Sequence, residues 1–303
     1  MSRNITSALQ KHGFRSHVVA ICHLDELRED IERKYRQGLF CQELYEERLA
    51  QFQFHAPVDL HEAKSIIIAA YPQPQIRIYF TWKGKSFPVI LPPTYLHEPN
   101  TILERHLRKI LTPFGFRESK TVLPLKLLAV RSGLGSYGRN NICYIQDSGS
   151  FCRLVAFYTD YPCEGGVWFE SQMLEDCKNC SACVRVCPTG AITPDRFLIR
   201  AERCLTFFNE RKGKFPSWVN PSWHQCIFGC MQCQSVCPQN KKFLSWVKDT
   251  ESFSEKETAL ILEGVPIDQI PLVTQNKIER LSMVEEFDLL ARNLRVLFEN
   301  LFQ

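Results

Sequence analysis

The chain has 303 residues, a formal net charge of +4 at neutral pH and 14 cysteines. With 45% hydrophobic and 23% charged residues it has a globular composition, which excludes disorder, collagen and coiled coil as the main architecture. No apolar run approaches the ~18 residues that span a bilayer, and the start, MSRNITSALQKHGF, has no apolar signal core. The expected compartment is the cytoplasm, with no membrane partner. There cysteine serves metal or catalysis more often than disulfide.

In chain order, residues 5–14 read as a short helix ending near Gly13, and 17–21 (HVVAI) as a strand. Residues 24–54 are rich in Glu, Arg, Leu and Gln, a helical and solvated composition. The β-branched run at 63–71 (AKSIIIAAY) predicts a buried strand, and 87–91 another, stopped by Pro92 and Pro93. Residues 100–111 form an amphipathic helix pattern. Residues 125–131 read as a helix, with Pro124 near its first turn and Gly133 just past its end. Residues 141–146 and 151–158 read as strands joined by the turn at 147–150. The mixture predicts an α/β (α+β) domain over residues 1–165, with a boundary in YPCEGG at 161–166.

One loop in this domain stands out: Ser132-Gly133-Leu134-Gly135-Ser136-Tyr137-Gly138-Arg139-Asn140-Asn141. Its glycines permit a close backbone approach or a positive φ. A helix C-cap turning into a strand meets the same pattern. It is not a dinucleotide fingerprint, because the glycines follow a helix and precede a strand.

Nine of the cysteines fall between Cys177 and Cys237, in a predicted module over residues 166–245. Cys177-x2-Cys180-x2-Cys183-x3-Cys187-Pro188 is the bacterial ferredoxin run, in which the fourth cysteine serves the other of two clusters. The second run, Cys230-x2-Cys233-x3-Cys237-Pro238, lacks one cysteine, which Cys204 can supply. The expected ligands are Cys177, Cys180, Cys183 and Cys237 for one [4Fe–4S] cluster, and Cys187, Cys204, Cys230 and Cys233 for the other. Four-cysteine zinc sites use two separated pairs and do not need a Cys-Pro ending, so zinc is the weaker reading. Cys226 is left over, either a packing thiol or a surrogate ligand. His224 reads as a satisfied surface or interface histidine ahead of a ligand. Residues 246–303 read as a helical tail with a capping box at Ser254 and Glu257 and an amphipathic helix over 285–302.

The glycine loop, the turn Asp147-x-Gly149-Ser150, Thr159-Asp160, the run 177–192, Arg203-Cys204 and Gly229-Cys230-x-x-Cys233-Gln234-x-x-Cys237-Pro238-x-Asn240 together resemble the epoxyqueuosine reductases and their relatives. The early strand Ala63-Lys64-Ser65-Ile66-Ile67 is also similar. The resemblance covers most of residues 60–245. It implies a nitroreductase-like, cobalamin-binding first domain followed by a two-cluster ferredoxin-like module. In the family the glycine loop lines the corrinoid pocket, which makes Gly133, Gly135, Tyr137, Gly138, Arg139 and Asn140, with Tyr95, the cofactor-binding candidates.

Two departures stand out. The reductases carry a catalytic Asp upstream of the loop, in a segment ending Pro-x-x-Glu-Arg. Ungapped counting from Gly133 puts Ser119 at the Asp position and Leu125 at the Glu position. Lys126 keeps the basic character, and Glu118 replaces the acid if the register slips by one. Many relatives also have a helical-repeat extension that helps hold transfer RNA, whereas one or two helices are expected here. Ser119, Lys126 and Tyr137 are therefore the catalytic candidates. The expected function is a reductase passing electrons from an external donor of flavodoxin or ferredoxin type, through two [4Fe–4S] clusters and cobalamin, to a small molecule or a modified tRNA base. The alternative is a ferredoxin-like electron-transfer protein with no chemistry of its own, for example one that reduces a corrinoid protein.

Overall fold

A computed structural model of the chain describes residues 2–163 and 167–301. Its strands are β1 (Arg15–Ala20), β2 (Ser65–Pro72), β3 (Gln75–Trp82), β4 (Lys85–Leu91), β5 (Glu118–Lys120), β6 (Gly135–Tyr137), β7 (Cys143–Ile145), β8 (Cys152–Thr159) and β9 (Val247–Phe253). Its α-helices are α1 (Ser2–Gln10), α2 (Leu24–Arg36), α3 (Gln42–Leu44), α4 (Glu98–Leu111), α5 (Leu125–Arg131), α6 (Ala182–Val186), α7 (Leu205–Asn209), α8 (Gln232–Ser235), α9 (Glu255–Glu263), α10 (Leu272–Arg280) and α11 (Phe287–Leu301). Among the described residues no helix is long and apolar enough to cross a membrane.

The chain divides into two compact units. Unit 1 comprises Met1–Gln73, His97–Ser181 and Ile192–Glu202; unit 2 comprises Pro74–Leu96, Ala182–Ala191 and Arg203–Gln303. This interleaving does not follow the boundaries expected near 165 and 245. The first of those falls on residues 164–166, outside the described residues.

Unit 1 is built on an antiparallel sheet in the order β1-β2-β8-β5. Its central strand explains the unbroken apolar run at 65–70. Ile66, Ile68 and Ala70 face one core, with Leu24, Leu27 and Ile31 of α2 and Leu127, Leu128 and Val130 of α5. Ile67 and Ala69 face the other, with Ile5 and Leu9 of α1 and Leu103, Leu107 and Leu111 of α4. A strand covered on both faces has no polar side to alternate with. The hairpin expected between 141–146 and 151–158 is not formed. β7 pairs with β6, while β8 lies between β2 and β5. Asp147 and Gly149 both take positive φ, and the turn closes on Ile145 itself through Ile145 N–H to Gly149 O at 2.8 Å. That consumes the edge the hairpin would have used.

Unit 2 holds a three-stranded sheet, β4-β3-β9, antiparallel between β3 and β4 and parallel between β3 and β9. Ile76, Ile78 and Phe80 alternate inward against Ile261 of α9 and Leu290 and Leu294 of α11. The capping box forms: Ser254 accepts from Glu257 N–H, and the Glu257 carboxylate accepts from Ser254 N–H. The predicted amphipathic helix is α11, with Leu289, Leu290, Leu294 and Leu297 buried; Phe302 of the expected span lies outside the described residues. α11 is not a free tail. Asn293, 1% exposed, donates to the carbonyls of Asn209 and Ile227 at 2.9 and 2.8 Å. Arg292 donates to the carbonyls of Phe208, Arg211 and Gly213. The last helix is thereby stitched to the segment that follows Cys204.

Candidate functional site: the cysteine segments and the glycine loop

The second ligand set lies wholly within unit 2. Cys204 caps α7, and Cys230 stands just ahead of α8. Burial pushes the Cys204 thiol up, and the nearby Cys187 adds to this, while the N–H groups of Thr206 and Phe207 oppose it. Burial likewise pushes Cys230 up to about 11, with Cys204 and Cys187 adding to it and Gln232 N–H opposing it. Three sulfurs therefore sit close enough to influence one another, and backbone N–H groups at two short helix starts are aimed at two of them. Such amides stabilise the thiolate that a metal requires.

Local contacts hold these segments. Arg203 donates to Thr189 O at 2.8 Å, tying the turn after Cys187 to the residue before Cys204. Asn209 donates to Gly229 O at 2.7 Å, and the fully buried Asn240 donates to Gln234 O at 2.9 Å. α6, which carries Cys183, packs against α8, which carries Cys233. Among the described residues no three His, Cys, Asp or Glu side chains converge at the spacing of a single-ion site. The donor set is soft thiolate with helix-start amides around it, which fits [4Fe–4S] ligation.

Of the first set, Cys177 and Cys180 belong to unit 1. Arg139, assigned to a corrinoid by resemblance, instead donates to the carbonyls of Cys177 (2.7 Å), Cys180 (3.1 Å) and Lys178 (3.4 Å).

The rest of the glycine loop is also engaged with its own chain. Gly133 ends α5 with φ +74, and Leu134 N–H reaches back to Ala129 O at 2.9 Å, the helix stop that the pattern permits. A Cβ on Gly133 would lie 2.5 Å from the Phe169 ring. On Gly135 it would lie 2.8 Å from Cys143 Sγ, Ile145 Cδ1 and Tyr144 O, and on Gly138 2.5 Å from the Tyr144 ring. Asn140, 3% exposed, donates to Tyr144 Oη at 2.9 Å and accepts from Ile142 N–H. Tyr137 is buried with its ring 5.2 Å from Phe197, and burial pushes its phenol well above the usual range. Tyr95 is not in this unit. It donates to Glu210, stacks near Phe228 and occupies the space that a side chain at Gly229 would need. The residues nominated for a corrinoid each make contacts with their own chain, and Tyr95 belongs to the other unit.

The catalytic candidates are dispersed. Ser119 Oγ donates to the Asp59 carboxylate, 2.9 Å from both oxygens. Sequence reading missed Asp59, 60 residues upstream, because nothing local marks it. Glu118 is paired with Arg108 at 2.8 Å, so it is not a free acid. Lys126 is exposed, with its Nζ 3.5 Å from Asn141 O. His224 corrects an expectation: it is 5% exposed, not a surface residue, and its Nε2 has no hydrogen-bond partner among the described residues. Cys226 is a buried thiol beside β4, bridged to Ile90.

Residues 176–240 match the family described as the 4Fe-4S double cluster binding domain. The epoxyqueuosine reductase of Pseudomonas aeruginosa is 33% identical over 142 residues, 46% of this chain and 38% of that protein. The Staphylococcus aureus enzyme is 26% identical over 231 residues, 72% of this chain and 58% of that protein. The first curated relatives are therefore matched over well under half of their length. The structure of epoxyqueuosine reductase from Streptococcus thermophilus superposes with a TM-score of 0.64, at 19% identity, over 100% of this chain and 82% of that one. An epoxyqueuosine reductase bound to a tRNA-Tyr epoxyqueuosine-modified stem loop gives 0.60, at 21% identity, over 98% and 80%. The mixed α/β fold is that of these reductases, the chain is similar in sequence to epoxyqueuosine reductases, and residues 176–240 match a 4Fe-4S double-cluster domain.

Proposed function

We propose that this protein is an iron–sulfur reductase that carries single electrons from an external donor through two [4Fe–4S] clusters to an acceptor which, by the family resemblance, is cobalamin. The observation that carries the electron-transfer part is the gathering of Cys187, Cys204 and Cys230 within one unit. The first cluster takes Cys177, Cys180, Cys183 and Cys237 by the ferredoxin pattern, and Cys233 completes the second. The donor is of flavodoxin or ferredoxin type, and the compartment is the cytoplasm. A modified tRNA base is one substrate class, supported by the similar reductase that holds such a stem loop. Proton supply falls to Lys126, Tyr137 or Ser119 backed by Asp59, the last keeping a carboxylate 2.9 Å from the position that lost the acid.

A second reading, electron transfer with no chemistry of the chain's own, is favoured by one observation. The loop expected to touch the corrinoid is filled by Phe169, Cys143 and Tyr144.

One titration separates the two. The protein is reconstituted anaerobically and cobalamin is added. A corrinoid spectrum shifting to the base-off form, with about 8 irons per chain, supports the reductase. A full complement of iron with no spectral change supports the second reading. Absence of clusters sinks both.

A further inference from the structure

We infer that Arg139 is a positioning residue for the first iron–sulfur cluster, and that its charge sets how readily that cluster accepts an electron. This rests on the reading that Cys177 and Cys180 are cluster ligands.

Three carbonyls within four residues, two of them belonging to ligands, accept from one guanidinium. The planar fork of Arg serves several acceptors at fixed angles, whereas a Lys ammonium on a flexible stem does not. The guanidinium is itself well held. Gly138 N–H donates to Ile142 O at 2.8 Å, and Asn141 N–H to Gly138 O at 2.9 Å, so Arg139 projects from a closed turn. The strand before it is fastened to the same loop. Tyr137 N–H donates to Gln172 O at 3.0 Å, and Leu174 N–H to Tyr137 O at 2.8 Å. Cys177 N–H then reaches Leu174 O at 3.0 Å. The segment from 172 to 180 is therefore pinned at both ends to residues 137–139, first by backbone and then by Arg139.

The partners of Arg139 are neutral carbonyls, and among the described residues no carboxylate pairs with it. Its full positive charge is thus left within one peptide of two thiolates. One-electron reduction adds a negative charge to the cluster and its four thiolates. A neighbouring cation stabilises that reduced state, and nearby charge is a recognised determinant of cluster potential. Arg139 thereby joins the glycine loop to the electron path without touching a corrinoid.

The test uses the full chain, reconstituted anaerobically, with dithionite as the electron source and paramagnetic resonance to follow each cluster. Arg139→Gln is expected to lower the reduced-to-oxidised ratio of one cluster about tenfold at fixed potential, about 59 mV for a one-electron couple. It is also expected to release that cluster's iron to a chelator several-fold faster. Arg139→Lys keeps the charge and loses the fork, so it should retain the potential and share the faster iron loss. Cys180→Ala marks which signal belongs to the first cluster by abolishing it. If Cys180→Ala has lost about four irons but Arg139→Gln matches the wild type in potential and iron loss, the inference fails alone. If Cys180→Ala keeps all its iron, the inference fails together with the ligand reading beneath it.

Discussion

In unit 2 the segments around Cys187, Cys204 and Cys230 bring thiols together and direct backbone N–H groups at them. In unit 1 residues 133–140 do the reverse, spending their close approaches on Phe169, Cys143 and Tyr144 and their polar groups on neighbouring backbone. The two regions teach how a ligand site differs from a tightly folded loop. A ligand site leaves several groups of one chemistry facing one another, because a group outside the chain is to satisfy them. A tight loop spends its close approaches on its own chain.

The largest effect that can break this contrast is on iron. Cys204→Ala should hold about 4 irons where the wild type holds about 8, and Cys226→Ala should keep all of them. Equal iron in the two variants would show that Cys204 is not a ligand. Gly135→Ala probes the other region. A methyl group 2.8 Å from Tyr144 O and Cys143 Sγ has nowhere to go, so denaturant unfolding should show a loss of about 1–3 kcal/mol with the iron content unchanged. Unaltered stability would mean that the loop is open after all.

His224 sharpens the picture inside unit 2. Burial, with Arg292 adding to it, lowers its pKa to about 4. The unfolded chain therefore binds a proton near the ordinary histidine range that the folded chain refuses. The stability from neutral His224 is fully present above about pH 6.5 and is lost as pH falls towards 4, by on the order of 3 kcal/mol. His224→Phe should flatten that slope in apoprotein melts; an undiminished slope would assign it elsewhere. The smallest effect is expected at the start of α9, where Ser254→Ala removes the capping box and should cost about 1 kcal/mol, read as a lower melting temperature with both clusters intact.

Much of this was readable from residues alone, and the misses have particular causes. The run at 65–70 announced a doubly covered strand because six apolar or small residues in a row cannot serve a half-buried one. β3 carried clean alternation in QIRIYFTW and went unassigned between the strands read at 63–71 and 87–91. β9 had no such signal, since Phe253 is its one buried residue. The cysteine spacings pointed to the double-cluster domain that residues 176–240 match, because the ferredoxin run is a short local pattern. The Ser119–Asp59 contact and the bonds from Arg139 to 177–180 span 60 and about 40 residues. No local pattern encodes a partner that arrives through the tertiary fold. The glycines marked where backbone and side chains crowd, but not whether the crowding atom belongs to a ligand or to Phe169.

The central claim is that eight cysteines of this chain hold two cubane clusters. Mössbauer spectroscopy with iron and labile-sulfide analysis of the anaerobically reconstituted wild-type protein tests it most directly. The account predicts about 8 irons and about 8 sulfides per chain, all in the signature of [4Fe–4S] clusters. A protein that retains zinc without labile sulfide, or saturates at about 4 irons, would contradict it.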